Sequence, residues 1–249
     1  MPWNTLYESQ LSTWMENIPE KERAIYVRVL SICHKRGLQF ALGGAAALGI
    51  YTGHWRNTKD LDLYILPSDR DRIVEIFAEA GLQDYFCVAS YDRRWIYRAW
   101  CNEAIVDAIW AMANQRAEVD ELWLTRGPLA PALDGISVRI LPPEEMIWSK
   151  LYVMQRERCD WPDILNLLYA TARHVDWDHL ISRVGDDTPL LRALVDIFHW
   201  LCPTEDISLA EALLDARSPR ISNNGCSTST RRADLLDSRP WFGPRLVTA

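Results

Sequence analysis

Two aspartates separated by a single residue, Asp60 and Asp62, have a spacing that suits chemistry on a cation. They begin the segment DLDLYI, whose alternation of acidic and apolar residues predicts a β-strand. Successive side chains of a strand point to opposite faces, so both carboxylates would lie on one face, about 7 Å apart along the chain. Leu61 and Leu63 would face a core on the other side and fix this register. The two carboxylates could therefore converge on one cation.

A pair of glycines, Gly43 and Gly44, lies upstream between an apolar stretch and a short predicted helix. Glycines at the start of a helix expose backbone N–H groups at the positive end of the helix dipole. They also carry no side chain that would obstruct a phosphate. Residues 40–65 therefore predict a phosphate-handling site that depends on a metal ion.

A third carboxylate, Asp107, lies in the second arm of a hairpin that we predict over residues 94–111, with its turn at residues 101–103. Its neighbours Val106 and Ala108 are apolar. A carboxylate buried in such a strand is destabilising unless a partner satisfies it. A metal ion, an arginine or solvent at a cleft could each be that partner.

The surrounding pattern predicts the elements that position these residues. We expect two N-terminal helices, a buried strand over residues 38–42, and a helix that Ser68 caps and Gly81 ends. A further strand is predicted at residues 135–141. Beyond it the apolar period becomes helical, over residues 144–156, 161–173, 177–184 and 189–201. Strands followed by runs of helices predict an α+β fold with a small helical bundle at the end.

Composition limits the classes of function. The chain has 249 residues, 49% hydrophobic and 24% charged, which is typical of a globular protein with a sizeable core. It has no apolar run near the roughly 18 residues that span a bilayer, and its N-terminus lacks the pattern of a signal peptide. We therefore expect a cytoplasmic protein without a membrane partner, and the six scattered cysteines are interpreted as reduced thiols.

The net charge of −7 is unevenly distributed. Residues 216–249 contain six arginines and two aspartates, are rich in Ser, Pro and Asn, and predict a disordered basic tail. The remainder of the chain is therefore strongly acidic. We expect no extended DNA binding, because a surface of that sign repels the phosphate backbone.

The ordered set Gly43, Gly44, Asp60, Asp62 and Asp107 resembles the signature of the DNA polymerase beta-like nucleotidyltransferase superfamily. The resemblance continues in EMIWSKLYVMQRERCDWPDIL, residues 145–165. This segment looks like the lysine followed by R-x-R-x-D-x-x-D of small bacterial nucleotidyltransferases of the AbiEii toxin type. The resemblance covers about residues 38–170.

The resemblance implies a nucleotidyltransferase-like mixed sheet flanked by helices and followed by a small helical bundle. The expected parts are N-terminal helices at residues 1–37, a catalytic domain at 38–141, a helical domain at 142–215 and the tail at 216–249. The expected reaction moves a nucleoside monophosphate (NMP) from a nucleoside triphosphate (NTP) to a hydroxyl acceptor and releases pyrophosphate. The acceptor could be a small molecule, a tRNA or a protein, and an antitoxin could be a partner.

The same resemblance assigns roles to single residues. The three carboxylates would bind Mg²⁺, or Mn²⁺ in its place, because these hard ions prefer oxygen ligands. Arg56 and Lys150 would meet the triphosphate beside the glycines. Asp163 would position or deprotonate the nucleophile. The predicted site is therefore Gly43, Gly44, Arg56, Asp60, Asp62, Asp107, Lys150 and Asp163.

Other interpretations of these residues stay open. Asp107 could pair with a buried arginine, and Lys150 could be a surface lysine. Asp163 could belong to a salt-bridge network with Arg156 and Arg158. The whole chain could be a non-catalytic member that binds a nucleotide or serves as an antitoxin-like regulator, or a structural module with surface acids.

Overall fold

A mixed sheet of seven strands forms the centre of the first part of the chain. Its spatial order is β3-β4-β5-β2-β1-β7-β6. The β5/β2 and β1/β7 pairs are parallel and the other neighbours are antiparallel. The strands are β1 (Ala41–Leu42), β2 (Asp60–Tyr64), β3 (Gln83–Asp84), β4 (Ile96–Cys101), β5 (Ala104–Ile109), β6 (Leu129–Pro131) and β7 (Ser137–Ile140).

This computed structural model describes residues 14–55, 58, 60–131, 136–155, 158–217 and 236. The chain divides into two units, Met1–Met146 and Ile147–Ala249. The sheet belongs to the first unit, and the described part of the second consists of helices. The predicted fold class, an α+β fold with a mixed sheet, flanking helices and a following helical part, is confirmed. The finer domain boundaries given above stay a prediction.

Helices flank the sheet of the first unit. The longest, α1 (Glu20–Lys35), is ended by Gly37 at φ +61°, a conformation that favours glycine. Its residues Ile25, Val29 and Leu30 are buried, as expected of an amphipathic helix on a core. The helices are α1 (Glu20–Lys35), α2 (Gly44–Thr52), α3 (Arg70–Glu79) and α4 (Glu121–Thr125).

The second unit is built from helices whose apolar stripes meet. In the longest of them, Leu191, Leu194 and Phe198 recur at helical spacing and are buried. A helix at Ser208–Arg217 was not predicted from the sequence. The helices are α5 (Pro143–Leu151), which contains the division between the units, α6 (Trp161–Thr171), α7 (Trp177–Val184), α8 (Thr188–Leu201) and α9 (Ser208–Arg217).

Several predicted elements differ from the structure. Ser68 does not cap a helix, because it lies inside a 3₁₀ turn, Pro67–Asp69, and α3 begins at Arg70 without a side-chain cap bond. The helix predicted to reach residue 156 ends at Leu151. The first helix was predicted over residues 4–18, but Trp14–Asn17 form a 3₁₀ turn, Ile18 lies in a bend, and residues 4–13 lie outside the described residues. The predicted tail also lies outside them, apart from residues 216, 217 and 236.

Within the described ranges, no helix is both long and apolar enough to cross a membrane. Five cysteines lie in those ranges as free thiols: Cys33, Cys87, Cys101, Cys159 and Cys202.

Candidate metal and nucleotide site

Three carboxylates converge on one face of the sheet. Asp60 and Asp62 project from β2, and the parallel register places Asp62 directly beside Asp107 of β5. One ligand oxygen from each residue lies within 4.8 Å of the others. Asp107 is 1% exposed, whereas Asp60 and Asp62 are half-buried. Three carboxylate oxygens in such proximity form a donor set that fits a hard divalent cation.

Two glycines bring the start of α2 against this acidic strand. The backbone N–H of Gly43 donates to the carbonyl oxygen of Asp62 at 2.9 Å. Gly44 opens α2 with φ +56°, and a Cβ there would lie 1.7 Å from Oδ2 of Asp62. A Cβ on Gly43 would lie 2.3 Å from Cε2 of Tyr64. No larger residue fits at either position without displacement, so the glycines are required by close approach. The positive end of the helix dipole therefore faces the carboxylates.

An arginine that the sequence analysis did not identify binds the buried carboxylate. Arg98 lies on β4 in register with Asp107. Its Nε donates to Oδ1 of Asp107 at 2.8 Å, and its Nη2 donates to Oδ2 at 2.5 Å. The same Nη2 lies 3.4 Å from Oδ2 of Asp60. The guanidinium also lies over the ring of Tyr85, 5.7 Å from its centroid. Arg98 therefore links Asp107 to Asp60 and borders the site.

The electrostatics of this pair depend on both partners. Burial raises the pKa of Asp107, and hydrogen bonds from Arg98 oppose that rise. The hydrogen bond to Asp107 in turn raises the pKa of Arg98, so the guanidinium stays charged. Without Arg98, burial would act on Asp107 with much less opposition.

A hydroxyl group holds the more exposed carboxylate. Thr58 donates through Oγ1 to Oδ1 of Asp60 at 3.0 Å and lies 3.1 Å from the carbonyl oxygen of the same residue. Because one oxygen of Asp60 is bound by Thr58 and the other faces Arg98, the rotamer of this carboxylate is constrained from both sides.

The site is a row across four neighbouring strands. Reading across the sheet, Arg98 on β4 is opposite Asp107 on β5, Asp107 is beside Asp62 on β2, and Asp62 binds Gly43 at the end of β1. Backbone hydrogen bonds fix every step of this row. Its members are positioned by sheet register and not by loops.

A second cluster of ionic side chains lies in the second unit, and we call Lys150, Arg158, Asp160 and Asp163 the Lys150 cluster. Nζ of Lys150 donates to Oδ2 of Asp160 at 2.6 Å and to Oδ2 of Asp163 at 3.0 Å. Arg158 forks onto Asp160 with two bonds of 2.9 Å. Burial alone would raise the pKa of Asp160, but the bonds from Arg158 and Lys150 outweigh it and hold that pKa below its ordinary value.

The structure thus brings together five of the predicted site residues in the first unit: Gly43, Gly44, Asp60, Asp62 and Asp107. Lys150 and Asp163 contact each other in the second unit. Arg56 lies outside the described residues. The roles that the sequence predicts for all eight stay predictions.

The sequence did contain a signal for Arg98. The predicted turn at residues 101–103 would pair residue 98 with residue 106, one position from Asp107. The observed turn is one residue shorter, because Cys101 pairs with Ala104, and this register places Arg98 opposite Asp107. Thr58 had no comparable signal, because its bond to Asp60 depends on the path of the loop before β2.

No protein-family model and no curated protein sequence matches the chain. Solved structures with limited likeness include the antibiotic-resistance factor ANT(2'')-Ia, at 19% identity over 78% of this chain and 95% of that chain, with a TM-score of 0.42. The lincosamide antibiotic adenylyltransferase LnuA, bound to lincomycin, has 15% identity over 62% and 99%, with a TM-score of 0.44. JHP933 from Helicobacter pylori has 16% identity over 88% and 90%, with a TM-score of 0.40. TM-scores below 0.5 at these identities assign neither a fold nor an activity to the chain.

Proposed function

We propose that the chain is a metal-dependent nucleotidyltransferase that moves an NMP group from an NTP to a hydroxyl acceptor and releases pyrophosphate. One observation carries the proposal: the carboxylates of Asp60, Asp62 and Asp107 converge within 4.8 Å beside a helix that begins at Gly44. Carboxylates that hold a cation and a helix start that accepts phosphate are the two components that such a transfer requires.

The residues of the site fit a divalent ion such as Mg²⁺ or Mn²⁺. All candidate donors are carboxylate oxygens, and the lack of a Cβ at Gly44 avoids a collision with Oδ2 of Asp62. When bound, such an ion supplies positive charge to the phosphate oxygens as charge builds up on them. Asp60 and Asp62 would hold it, and Thr58 would keep Asp60 in the required rotamer.

The backbone N–H groups at the start of α2 would receive the phosphates of the NTP. The first turn of α2 contains Ala45 and Ala46, so that side of the site has little bulk. Asp107 would orient the acceptor hydroxyl or accept its proton, because Arg98 limits the rise of its pKa that burial causes.

Finer parts of the proposal rest on the family resemblance. Arg56 and Lys150 would bind the triphosphate, and Asp163 would position or deprotonate the nucleophile. Lys150 could bind a phosphate only by loosening its bonds to Asp160 and Asp163. If the chain is of the AbiEii toxin type, it would bind an antitoxin in the cytoplasm. The acceptor would be a small molecule, a tRNA or a protein.

A binding-only protein is the second candidate, and the ion pair between Arg98 and Asp107 is the observation that favours it. A guanidinium that occupies both oxygens of Asp107 removes this carboxylate from the ligand set, so that Asp60 and Asp62 remain as the candidate ligands. Two carboxylates can retain an ion with its nucleotide without catalysing transfer. This candidate predicts nucleotide binding that depends on the metal, and no product.

One experiment separates the two. The full chain is incubated with each NTP labelled at the α-phosphate, with Mg²⁺ or Mn²⁺ and pools of aminoglycosides, tRNA or protein, and label transfer is measured. The double variant Asp60→Asn/Asp62→Asn should lose transfer by about a thousandfold or more, whereas Asp71→Asn, an exposed acid outside the site, should not. Nucleotide binding without transfer in any pool favours the binding-only protein, and equal activity of wild type and double variant refutes the proposed site.

A further inference from the structure

We propose that Arg98 is a resident counter-ion of the carboxylate site, which competes with the divalent ion for Asp107 and Asp60 and then turns to the phosphates of the nucleotide. The inference rests on the metal site of the proposed function, but it does not require that transfer occurs. It makes Arg98 the residue that sets the metal affinity of the site.

The competition follows from the contacts. Arg98 donates to both oxygens of Asp107 and lies 3.4 Å from Asp60, which are two of the three carboxylates that would hold the ion. A guanidinium and a divalent ion on the same carboxylates repel each other. Each therefore weakens the binding of the other, unless the guanidinium moves away.

The structure indicates which partner moves. The side chain of Asp107 is 2% exposed and is set by the register of a central strand, whereas that of Arg98 is 31% exposed. Arg98 also lies over the ring of Tyr85, which offers the guanidinium an aromatic face outside the row of carboxylates. The arginine is therefore the partner that can move, with the divalent ion taking over the charge of Asp107, whereas Asp107 is held in its strand.

The released guanidinium has an obvious second acceptor. Arginine forks onto phosphate oxygens with the same geometry that it uses for carboxylates. An NTP held at the start of α2 would present such oxygens beside Asp62 and Asp60. Arg98 should therefore oppose the binding of the metal alone and support the binding of the metal together with a nucleotide.

These two effects have opposite signs, which a merely structural role would not produce. Mn²⁺ binding to the full chain is measured by calorimetry and by the shift of Tm, first alone and then with a non-hydrolysable NTP analogue. Arg98→Gln should bind Mn²⁺ alone about tenfold more tightly than wild type, which corresponds to the loss of one charge-assisted contact. With the analogue present, the same variant should bind Mn²⁺ about tenfold more weakly than wild type does.

Matched variants provide the controls. Arg98→Lys keeps the charge but cannot fork, so it should fall between wild type and Arg98→Gln in both measurements. Arg94→Gln changes a neighbouring, exposed arginine whose partner is Asp92, and it should match wild type. If Arg98→Gln is unfolded by circular dichroism without metal, Arg98→Lys carries the test.

A double-mutant comparison tests whether the effect acts through Asp107. In an Asp107→Asn background, Arg98→Gln should change the affinity for Mn²⁺ by much less than tenfold, because the shared carboxylate is gone. Without the analogue, unchanged or weaker Mn²⁺ binding by Arg98→Gln overturns the proposal for Arg98, while loss of Mn²⁺ binding in Asp60→Asn/Asp62→Asn would still support the metal site. If wild type binds no Mn²⁺ either alone or with the analogue, both the metal site and the proposal for Arg98 are overturned.

Discussion

Among the described residues, the carboxylate site of the first unit and the Lys150 cluster both combine carboxylates with cations, but they differ in openness. In the first unit, Arg98 and Asp60 are each 31% exposed, and their contact of 3.4 Å is long. In the Lys150 cluster, the side chains of Lys150, Asp160 and Asp163 are 14%, 9% and 16% exposed, and the lysine contacts are 3.0 Å or shorter. The first cluster can admit a ligand, whereas the second already satisfies its own charges.

The difference teaches how an acidic motif should be judged. Both clusters follow from a D-x-D or D-x-x-D pattern, and for the second pattern the sequence also permits a salt-bridge network. What separates them is whether the cation is fixed beside the carboxylates. A buried pair that is closed on itself contributes to the fold, while a half-buried arginine over a buried aspartate leaves a position that another cation can take.

The largest expected effect tests the closed cluster. Lys150→Met removes the cation between Asp160 and Asp163 and should destabilise the fold by about 3–5 kcal/mol, because it leaves buried carboxylates with less compensation. Urea unfolding of the full chain measures it. Lys35→Met, at an exposed position of α1, is the control and should have little effect. If Mn²⁺ restored the stability of Lys150→Met, the two clusters would not differ in the way described.

The next effect concerns the glycine at the open cluster. Gly44→Ala combines a left-handed backbone with a Cβ that would lie 1.7 Å from Asp62. The variant should lower the free energy of unfolding by about 3 kcal/mol and abolish Mn²⁺ binding. Gly37→Ala is the matched control, since its φ of +61° is similar but its nearest atom is 3.9 Å away. The control should cost about 1 kcal/mol in urea unfolding and keep Mn²⁺ binding. Equal losses in both variants would show that backbone strain alone matters.

A smaller effect is expected from the hydroxyl that holds Asp60. Thr58→Val keeps the shape of the side chain and removes its hydrogen bond, so Mn²⁺ affinity should fall by about fivefold, or roughly 1 kcal/mol. Thr58→Ser should restore most of it. Calorimetry gives both values, and a serine variant as weak as the valine variant would indicate that packing of the methyl group is what matters.

The smallest effect is a pH dependence in the closed cluster. The pKa of Asp160 is lowered in the folded state, so its ionised form stabilises the fold above its ordinary unfolded pKa of about 3.9. That contribution is lost as the pH falls through the folded pKa, below about pH 4. When the pH is lowered from 5 to below the folded pKa of Asp160, the free energy of unfolding should therefore fall less in Asp160→Asn than in wild type. Urea unfolding at each pH measures this difference. Parallel pH curves would contradict the lowered pKa.

Much of the open cluster could be predicted because its spacing is short and periodic. The alternation in DLDLYI predicts which side chains share a face, and the hairpin pattern places Asp107 in a neighbouring arm. That the parallel register would bring Asp62 beside Asp107 could not be read from either segment alone. It depends on which strands pair across the sheet.

The features that the sequence did not predict depend on competition between local turn types, on strands too short to show a period, or on contacts between distant residues. Ser68 looked like a cap, but the 3₁₀ turn at Pro67–Asp69 moved the start of α3 to Arg70. Strands β3 and β6 have two and three residues, too few to show a period. The partner of Lys150 could not be chosen from the sequence, because Lys150 lies on α5 and Asp160 directly precedes α6, so their contact does not follow from the spacing within one helix.

The row across four strands has a consequence for how this chain can tolerate insertions and deletions. Gly44 and Asp60 are far apart in sequence, yet the bond between Gly43 and Asp62 closes the segment between them, so its length can vary without moving the carboxylates. The hairpin between β4 and β5 has no such freedom. Its two-residue turn sets which residue faces Arg98, and a deletion of one residue within β5 before Asp107 would place Ala108 in that position.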